Sequence, residues 1–286
     1  MKKLLTRTLS GAVYVALVVL AIYFSKFALK FGVSNLKTLF WLSVAAFGLF
    51  FLFVTVVGTY EVFHNLEKIG IVANKPLGYG LSVATFLLML TGMLNEGPVY
   101  FINLSGMVYV LFLVAPLAEL WRHDERPFAT AGYTMLPMLW VALPLGLISW
   151  MSADLTMAVF VLIWVNDTFA YLTGMLLGRH KMWVRHSPKK TWEGTIGGAL
   201  FCVAAAIGTA FLQIDIVLPL WGWIVIGVVV AAMGTLGDLV ESMFKRTCGV
   251  KDSGTIMPGH GGILDRFDSL LFAVPVVWLF VYVFLK

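Results

Sequence analysis

The sequence predicts an all-α, polytopic integral membrane protein with about nine transmembrane helices and a cytoplasmic N-terminus. Three observations carry this expectation. Of its 286 residues 60% are hydrophobic and 12% charged, against roughly 45–50% and about 25% in ordinary soluble domains, and the mean hydropathy is +0.92. Long uncharged runs recur, many of them close to the ~20 apolar residues that carry a helix across a bilayer. The basic residues also collect on alternate connections between those runs.

In chain order the runs are 10–24, 38–57, 77–94, 98–117, 129–150, 156–177, 196–212, 216–236 and 263–285. They are continuously apolar, which selects helices over the alternating strands of a barrel. The first follows Lys2, Lys3 and Arg7 with no small-x-small cleavage pattern after it, and reads as an uncleaved anchor rather than a signal peptide. With the N-terminus inside, only Lys26, Lys30, Lys37 and Lys286 among the lysines and arginines fall outside, as the positive-inside rule requires. The polar segments then face the cytoplasm, and the overall character points to a bacterial plasma membrane. The net charge of +5 lies on that inner face, where it favours anionic membrane lipids or nucleotide phosphates. No soluble basic domain suggests nucleic acid.

Two halves are expected. Residues 1–150 form N-terminal helices that serve as scaffold, lipid entry or oligomer contact. Within them, Tyr60, Phe63 and Leu66 recur opposite Glu61, His64, Asn65 and Lys68, which predicts a short interfacial helix over 58–71. Residues 121–127 read as a solvated connector. Cys202 and Cys248 have no metal-ligand spacing and read as structural, and no internal repeat is visible.

Residues 151–286 differ in kind and predict a catalytic domain with cytoplasmic loops 178–195 and 237–262. Asn166 and Asp167 interrupt an apolar run, and a carboxylate at that depth costs at least about 2.5–3.5 kcal/mol on insertion scales, which marks a polar cavity. The loop 178–195 combines Arg179, Lys181, Arg185, Lys189 and Lys190 with Ser187, Thr191, Glu193 and Gly194. Lysine point charges, arginine forks and glycines that admit backbone N–H groups together suit phosphate oxygens.

The sharpest pattern runs Gly237-Asp238-Leu-Val-Glu-Ser242-Met-Phe-Lys245-Arg246, then Lys251-Asp252, then Pro258-Gly-His260-Gly261-Gly262-Ile-Leu-Asp265-Arg266-Phe-Asp268. Asp265 and Asp268, three apart, share a helix face, and Asp238 at the end of the preceding span can oppose them across a helix pair. An aspartate cluster without supporting Cys or His spacing points to a hard cation, Mg²⁺ or Ca²⁺. His260, flanked by glycines, suits close backbone approach to a ligand better than metal binding.

This stretch resembles the signature of the phosphatidate cytidylyltransferases, also called CDP-diacylglycerol synthases, almost position for position, with Met257 a mild departure. Asn166-Asp167-Thr-Phe-Ala-Tyr171-Leu-Thr-Gly174 and Ser187-Pro188-Lys189-Lys190-Thr191-Trp-Glu193-Gly194 resemble two further motifs of that family. The resemblance implies condensation of CTP with phosphatidic acid to CDP-diacylglycerol and pyrophosphate, with Mg²⁺ required, a second cation left open and a homodimer left open. Carried onto this chain, it assigns the metal to Asp238 and Asp265 with Asp268 beside them. It gives Lys245, Arg246, Lys189 and Lys190 the phosphate charge, and Asp167 the lining of the same cavity. Ser187, Thr191, Glu193, Ser242, Lys251, Asp252, His260, Gly261, Gly262 and Arg266 complete the substrate-binding set.

Two other readings compete. A CTP-dependent lipid kinase of the polyprenol type needs a base, for which Asp167, Asp252 and His260 are on offer. A transporter of a phosphorylated solute would use Asn166 and Asp167 at the midplane, but the missing repeat and the one-sided polar residues count against it.

Overall fold

The computed structural model describes residues 2–30, 35–93, 98–122, 124–212, 218–259 and 261–284. Within them the protein is built from helices, α1 (Lys2–Lys30), α2 (Leu36–Lys68), α3 (Lys75–Leu90), α4 (Pro98–Ala118), α5 (Pro127–Pro137), α6 (Leu143–Leu147), α7 (Ala153–Leu177), α8 (Trp192–Phe211), α9 (Leu220–Thr247) and α10 (Leu264–Phe284). Seven segments are long and apolar enough to cross a membrane, and Thr8–Phe24 and Lys75–Leu90 are shorter apolar helices. Each expected run falls on one of these. Its edges at 94, 216 and 285, and His260 of the signature, lie outside the described residues. Outward-facing side chains such as Leu49, Leu200 and Phe211 are exposed and apolar, as a lipid-facing surface demands. The chain is an all-α polytopic membrane protein.

It divides into two compact units, Met1–Trp150 with Asp252–Asp265, and Met151–Lys251 with Arg266–Lys286. The segment 252–265, which its position in the chain assigns to the C-terminal half, thus packs with the first unit.

In the first unit, α2 starts on Asn35, whose side chain accepts from Lys37 N and Thr38 N, the usual device for orphaned helix donors. It packs against α3 and the π-helical turn Met138–Ala142 that follows Pro137, where the proline removes a helical donor. Phe51, Phe63, Phe86, Met138 and Leu145 are fully buried there. The expected short interfacial helix over 58–71 is corrected: its residues up to Lys68 are the last turns of the long α2. Phe63 and Leu66 are buried and His64 and Lys68 exposed, as expected, but three residues of the stretch are reversed. Glu61 and Asn65 are 1% and 0% exposed, while Tyr60 is 50% exposed. Apolar periodicity misjudged this stretch because lipid accepts Tyr60 while the interior offers polar partners to Glu61 and Asn65.

The 121–127 connector helps line an open polar cleft of about 680 Å³, shared with Gly70–Val72 residues and with Thr130 and Tyr133. Asp124 accepts from Arg126 N (2.9 Å) and Thr130 Oγ1 (2.7 Å). These bonds hold its carboxyl below the usual carboxylate range, so the contribution of this turn is fully present above that range and is lost as pH falls beneath it through the lowered value.

In the second unit, α7, α8 and α9 pack side by side. A Cβ on Gly198 of α8 would sit 2.7 Å from the carbonyl oxygen of Asn166 on α7 and 2.8 Å from Ala170 Cβ, so only glycine permits this approach. The loop 178–195 carries a two-stranded antiparallel hairpin, β1 (Lys181–Trp183) and β2 (Ser187–Thr191), and Thr191 then caps α8 through Gly194 N at 3.2 Å. The expected loop 237–262 is also corrected, because α9 stays helical to Thr247. It ends in a Schellman motif, with Val250 N to Lys245 O at 2.9 Å, Gly249 N to Arg246 O at 3.1 Å, and Gly249 at φ +69°, the left-handed conformation glycine supplies without strain. Hydropathy falls at Gly237, but helical geometry does not.

Candidate active site

Two constellations of the predicted residues form, one in each unit. In the second, Gly237 of α9 lies against α10 so closely that a Cβ there would be 2.5 Å from the carbonyl oxygen of Asp268. That approach sets Asp238 and Asp268 near each other, and Glu241, one turn on, completes a group. One carboxylate oxygen from each of Asp238, Glu241 and Asp268 lies within 4.8 Å of the others. Among the described residues this is the one group of three or more Asp, Glu, His or Cys side chains that could hold a metal ion.

Lysines answer these charges. Lys190 Nζ, from the hairpin, lies 2.7 Å from Asp238 Oδ2 and donates to Thr235 O at 3.3 Å. Lys245 Nζ lies 2.5 Å from Glu241 Oε2, with both side chains largely buried. Ser242 Oγ donates to Asp238 Oδ1 at 3.3 Å. Asp167, exposed on α7, lies within the field of Asp238, Lys190 and Arg266, and Asp268 within that of Asp238, Asp167 and Lys245. Beside Asp167, Asn166 is buried, and its Oδ1 has no hydrogen-bond partner among the described residues. Asp167, Lys190, Asp238, Ser242, Lys245, Arg266 and Asp268, from four separate stretches of sequence, therefore share one electrostatic neighbourhood.

Other predicted residues stand elsewhere in this unit. Glu193 accepts from Arg179 N (3.1 Å) and His180 N (3.1 Å) and lies 2.5 Å from His180 Nδ1, so its carboxylate fastens the hairpin to the start of α8. Thr191 is the cap. Ser187 pairs in register with Trp183, Lys189 is exposed, and Arg246 donates to Val250 O at 2.9 Å where α9 ends. Lys251 is exposed.

The first unit holds the other constellation. Asp265 Oδ2 accepts from Ser253 N (2.8 Å), Ser253 Oγ (2.9 Å) and Gly262 N (2.7 Å). Glu61, from α2, accepts from Ile263 N (2.8 Å), Leu264 N (2.9 Å) and Ser253 Oγ (2.8 Å). Asp252 is exposed nearby, with its Cβ 3.3 Å from where a Cβ on Gly261 would stand. Gly261 adopts φ +90° and its carbonyl accepts from Met257 N at 2.9 Å, a turn that side-chain-bearing residues rarely make.

Two carboxylates of these constellations were not among the sequence candidates. Glu241 was legible, since a carboxylate one residue before Ser242 and three after Asp238 shares a helix face with Asp238. Glu61 had no comparable signal, lying far from the signature in sequence.

Comparison with known proteins bears on the same stretches. A family model described as the cytidylyltransferase family matches residues 27–284. A phosphatidate cytidylyltransferase of Staphylococcus saprophyticus is 49% identical over 118 residues, which is 41% of this chain and 45% of that protein. One from Staphylococcus aureus strain COL is 36% identical over 202 residues, 69% of this chain and 77% of its own length, and one from Staphylococcus epidermidis is 36% identical over 179 residues, 62% and 68% respectively. With the match running across nearly all of its helices, the chain belongs to the cytidylyltransferase family.

Proposed function

We propose that the protein transfers the cytidylyl group of CTP to phosphatidic acid, releasing CDP-diacylglycerol and pyrophosphate as a step of phospholipid biosynthesis. The observation that carries this reading is the group Asp238, Glu241 and Asp268 with Lys190 and Lys245 paired into it, on a chain of this family. An oxygen of the lipid phosphate attacks the α-phosphorus of CTP, a new phosphorus–oxygen bond forms, and the bond to the oxygen bridging the β-phosphorus breaks with pyrophosphate leaving. The attacking oxygen is already ionised, so no general base is required. The protein's task reduces to positioning and charge stabilisation.

The donor set, all carboxylate oxygen, fits Mg²⁺, which takes one or two carboxylates and shares the rest of its coordination with phosphates and water. Asp238 and Asp268 would hold it with Glu241 alongside, and a bound ion would act as a Lewis acid on phosphate oxygens. Asp265 is assigned to the metal on the sequence motif, and its bonds from Ser253 and Gly262 orient it as ligating carboxylates are usually oriented. Lys190, Lys245, Lys189 and Arg246 neutralise the triphosphate and the lipid phosphate, and Arg266 offers a planar fork to a phosphate. Asp167 lines the membrane side, where the diacylglycerol end enters. The bias of lysine and arginine supports a cytoplasmic face for this chemistry, and bacterial relatives support a plasma membrane.

The purified protein in detergent, given phosphatidic acid, Mg²⁺ and CTP labelled at the α-phosphorus, is expected to move that label into the lipid fraction. A γ-label should leave as pyrophosphate. A γ-label in lipid would instead mean a kinase, and no labelled lipid at all would refute the reading.

A further inference from the structure

Glu61 and Asn65 lie on successive turns of α2, nearly two hundred residues before the loop they hold, and both are fully enclosed. Asn65 Nδ2 donates to Ser253 O at 2.8 Å. Glu61 takes the N–H groups of Ile263 and Leu264 on separate oxygens, and Oε2 also meets Ser253 Oγ. Ser253 is thus gripped at its carbonyl by Asn65, at its N–H by Asp265, and at its hydroxyl by both Glu61 and Asp265. A hydroxyl has one proton, so it serves one of those carboxylates at a time. Four backbone N–H groups, those of Ser253, Gly262, Ile263 and Leu264, also donate to the buried Glu61 and the half-buried Asp265.

The loop's composition matches this load. An added Cβ on Gly254 or Gly262 would run into the Glu61 carboxylate, so these glycines leave room for an acid from a distant helix. Ile263 immediately precedes α10 and Leu264 is its first residue, and their N–H groups are among the orphaned donors of a helix start. Helices normally satisfy those donors with a neighbouring side chain; here the cap comes from α2.

We propose that Glu61 is a positioning residue for cytidylyl transfer: its carboxylate clamps the 252–265 segment and the start of α10, fixing Asp265 and the glycine turn in their working geometry. This rests on the functional reading above. Glu61 acts through the loop, so its loss should lower turnover while leaving the binding of CTP and lipid largely intact.

The test is Glu61→Gln in the full-length protein. The amide must turn an NH₂ toward a backbone N–H or the serine hydroxyl, so at least one bond becomes a clash of donors. Amide exchange at Ile263 and Leu264 is expected to speed up about tenfold or more as this end of the loop opens. Turnover should fall about thirtyfold, with KM for CTP and phosphatidic acid changed less than about threefold, since small misplacements weigh on the reacting geometry. Ser253→Ala, which keeps both backbone bonds to Glu61, should give the same pattern more weakly and serves if the first variant does not fold. Phe51→Ala, a cavity elsewhere in α2, is the control and should lower thermal stability without changing turnover per folded molecule.

Unchanged exchange would overturn the clamp. Faster exchange with wild-type turnover would overturn the positioning role, and so would an equal turnover loss in Phe51→Ala. A wild-type protein that transfers no cytidylyl would refute the functional reading instead, and the exchange measurement would still decide the clamp.

Discussion

Asp238→Asn is expected to lower cytidylyl transfer by about a thousandfold, the scale seen when one pre-organised electrostatic group is removed from a reaction centre. Asp238 is the hinge of the carboxylate group. It pairs with Lys190 at 2.7 Å, receives Ser242 at 3.3 Å and supplies one of three oxygens that converge within 4.8 Å. The amide keeps the shape and removes the charge. Lys190 is then left with the Thr235 carbonyl as its remaining contact here, and the cation site keeps Glu241 and Asp268 alone. The Mg²⁺ concentration for half-maximal rate should therefore rise about tenfold or more. Turnover at saturating CTP and lipid, with Mg²⁺ titrated and folding checked by gel filtration, reads both effects. Retention of wild-type turnover at ordinary Mg²⁺ would remove Asp238 from the site, and Asp265→Asn in the same assay tests the assignment made for that residue from the motif.

Gly237→Ala is expected to produce the second-largest loss without touching a charged group. The added methyl would sit 2.5 Å from Asp268 O and 3.2 Å from Phe272 Cβ, and backbone cannot yield as a flexible side chain can. Parting α9 from α10 costs about 1–3 kcal/mol of stability, as overpacking does. It also draws Asp238 away from Asp268, and an ångström of displacement at a reaction centre can cost about a hundredfold in rate. Gly208→Ala on α8, where a methyl would meet nothing within 4 Å, is the matched control and should leave turnover intact. If Gly237→Ala melted lower but turned over normally, the helix contact would be structural only.

How far the sequence foretold this site depends on the physics behind each signal. Apolar runs are a solvent effect read one residue at a time, so every expected span lands on a helix. The same signal fails at α2 and α9. Hydropathy falls at Gly58 and Gly237, yet α2 continues to Lys68 and α9 to Thr247, because partners inside the protein replace the lipid that the apolar residues required. Asp265 and Asp268 were legible as carboxylates at helical spacing with Asp238 opposing them. Asp238 and Asp268 do converge, while Asp265 is bonded to Ser253 and Gly262 instead, and Glu241 could have been read from its spacing to Asp238. Lys190 was legible as a phosphate-binding cation, but not its pairing with Asp238, which depends on how the hairpin folds back on α9. Glu61 was illegible. Its partners are backbone N–H groups, which every sequence possesses, and its polarity was taken for a water-facing surface.

These side chains would only position and neutralise, the lipid phosphate itself being the nucleophile. Isotope exchange between labelled pyrophosphate and CTP tests this most directly. If attack is direct, label enters CTP only when phosphatidic acid or CDP-diacylglycerol is present to carry the cytidylyl group. Label entering CTP with the purified protein and Mg²⁺ alone would reveal a cytidylyl group held on the enzyme and contradict the account.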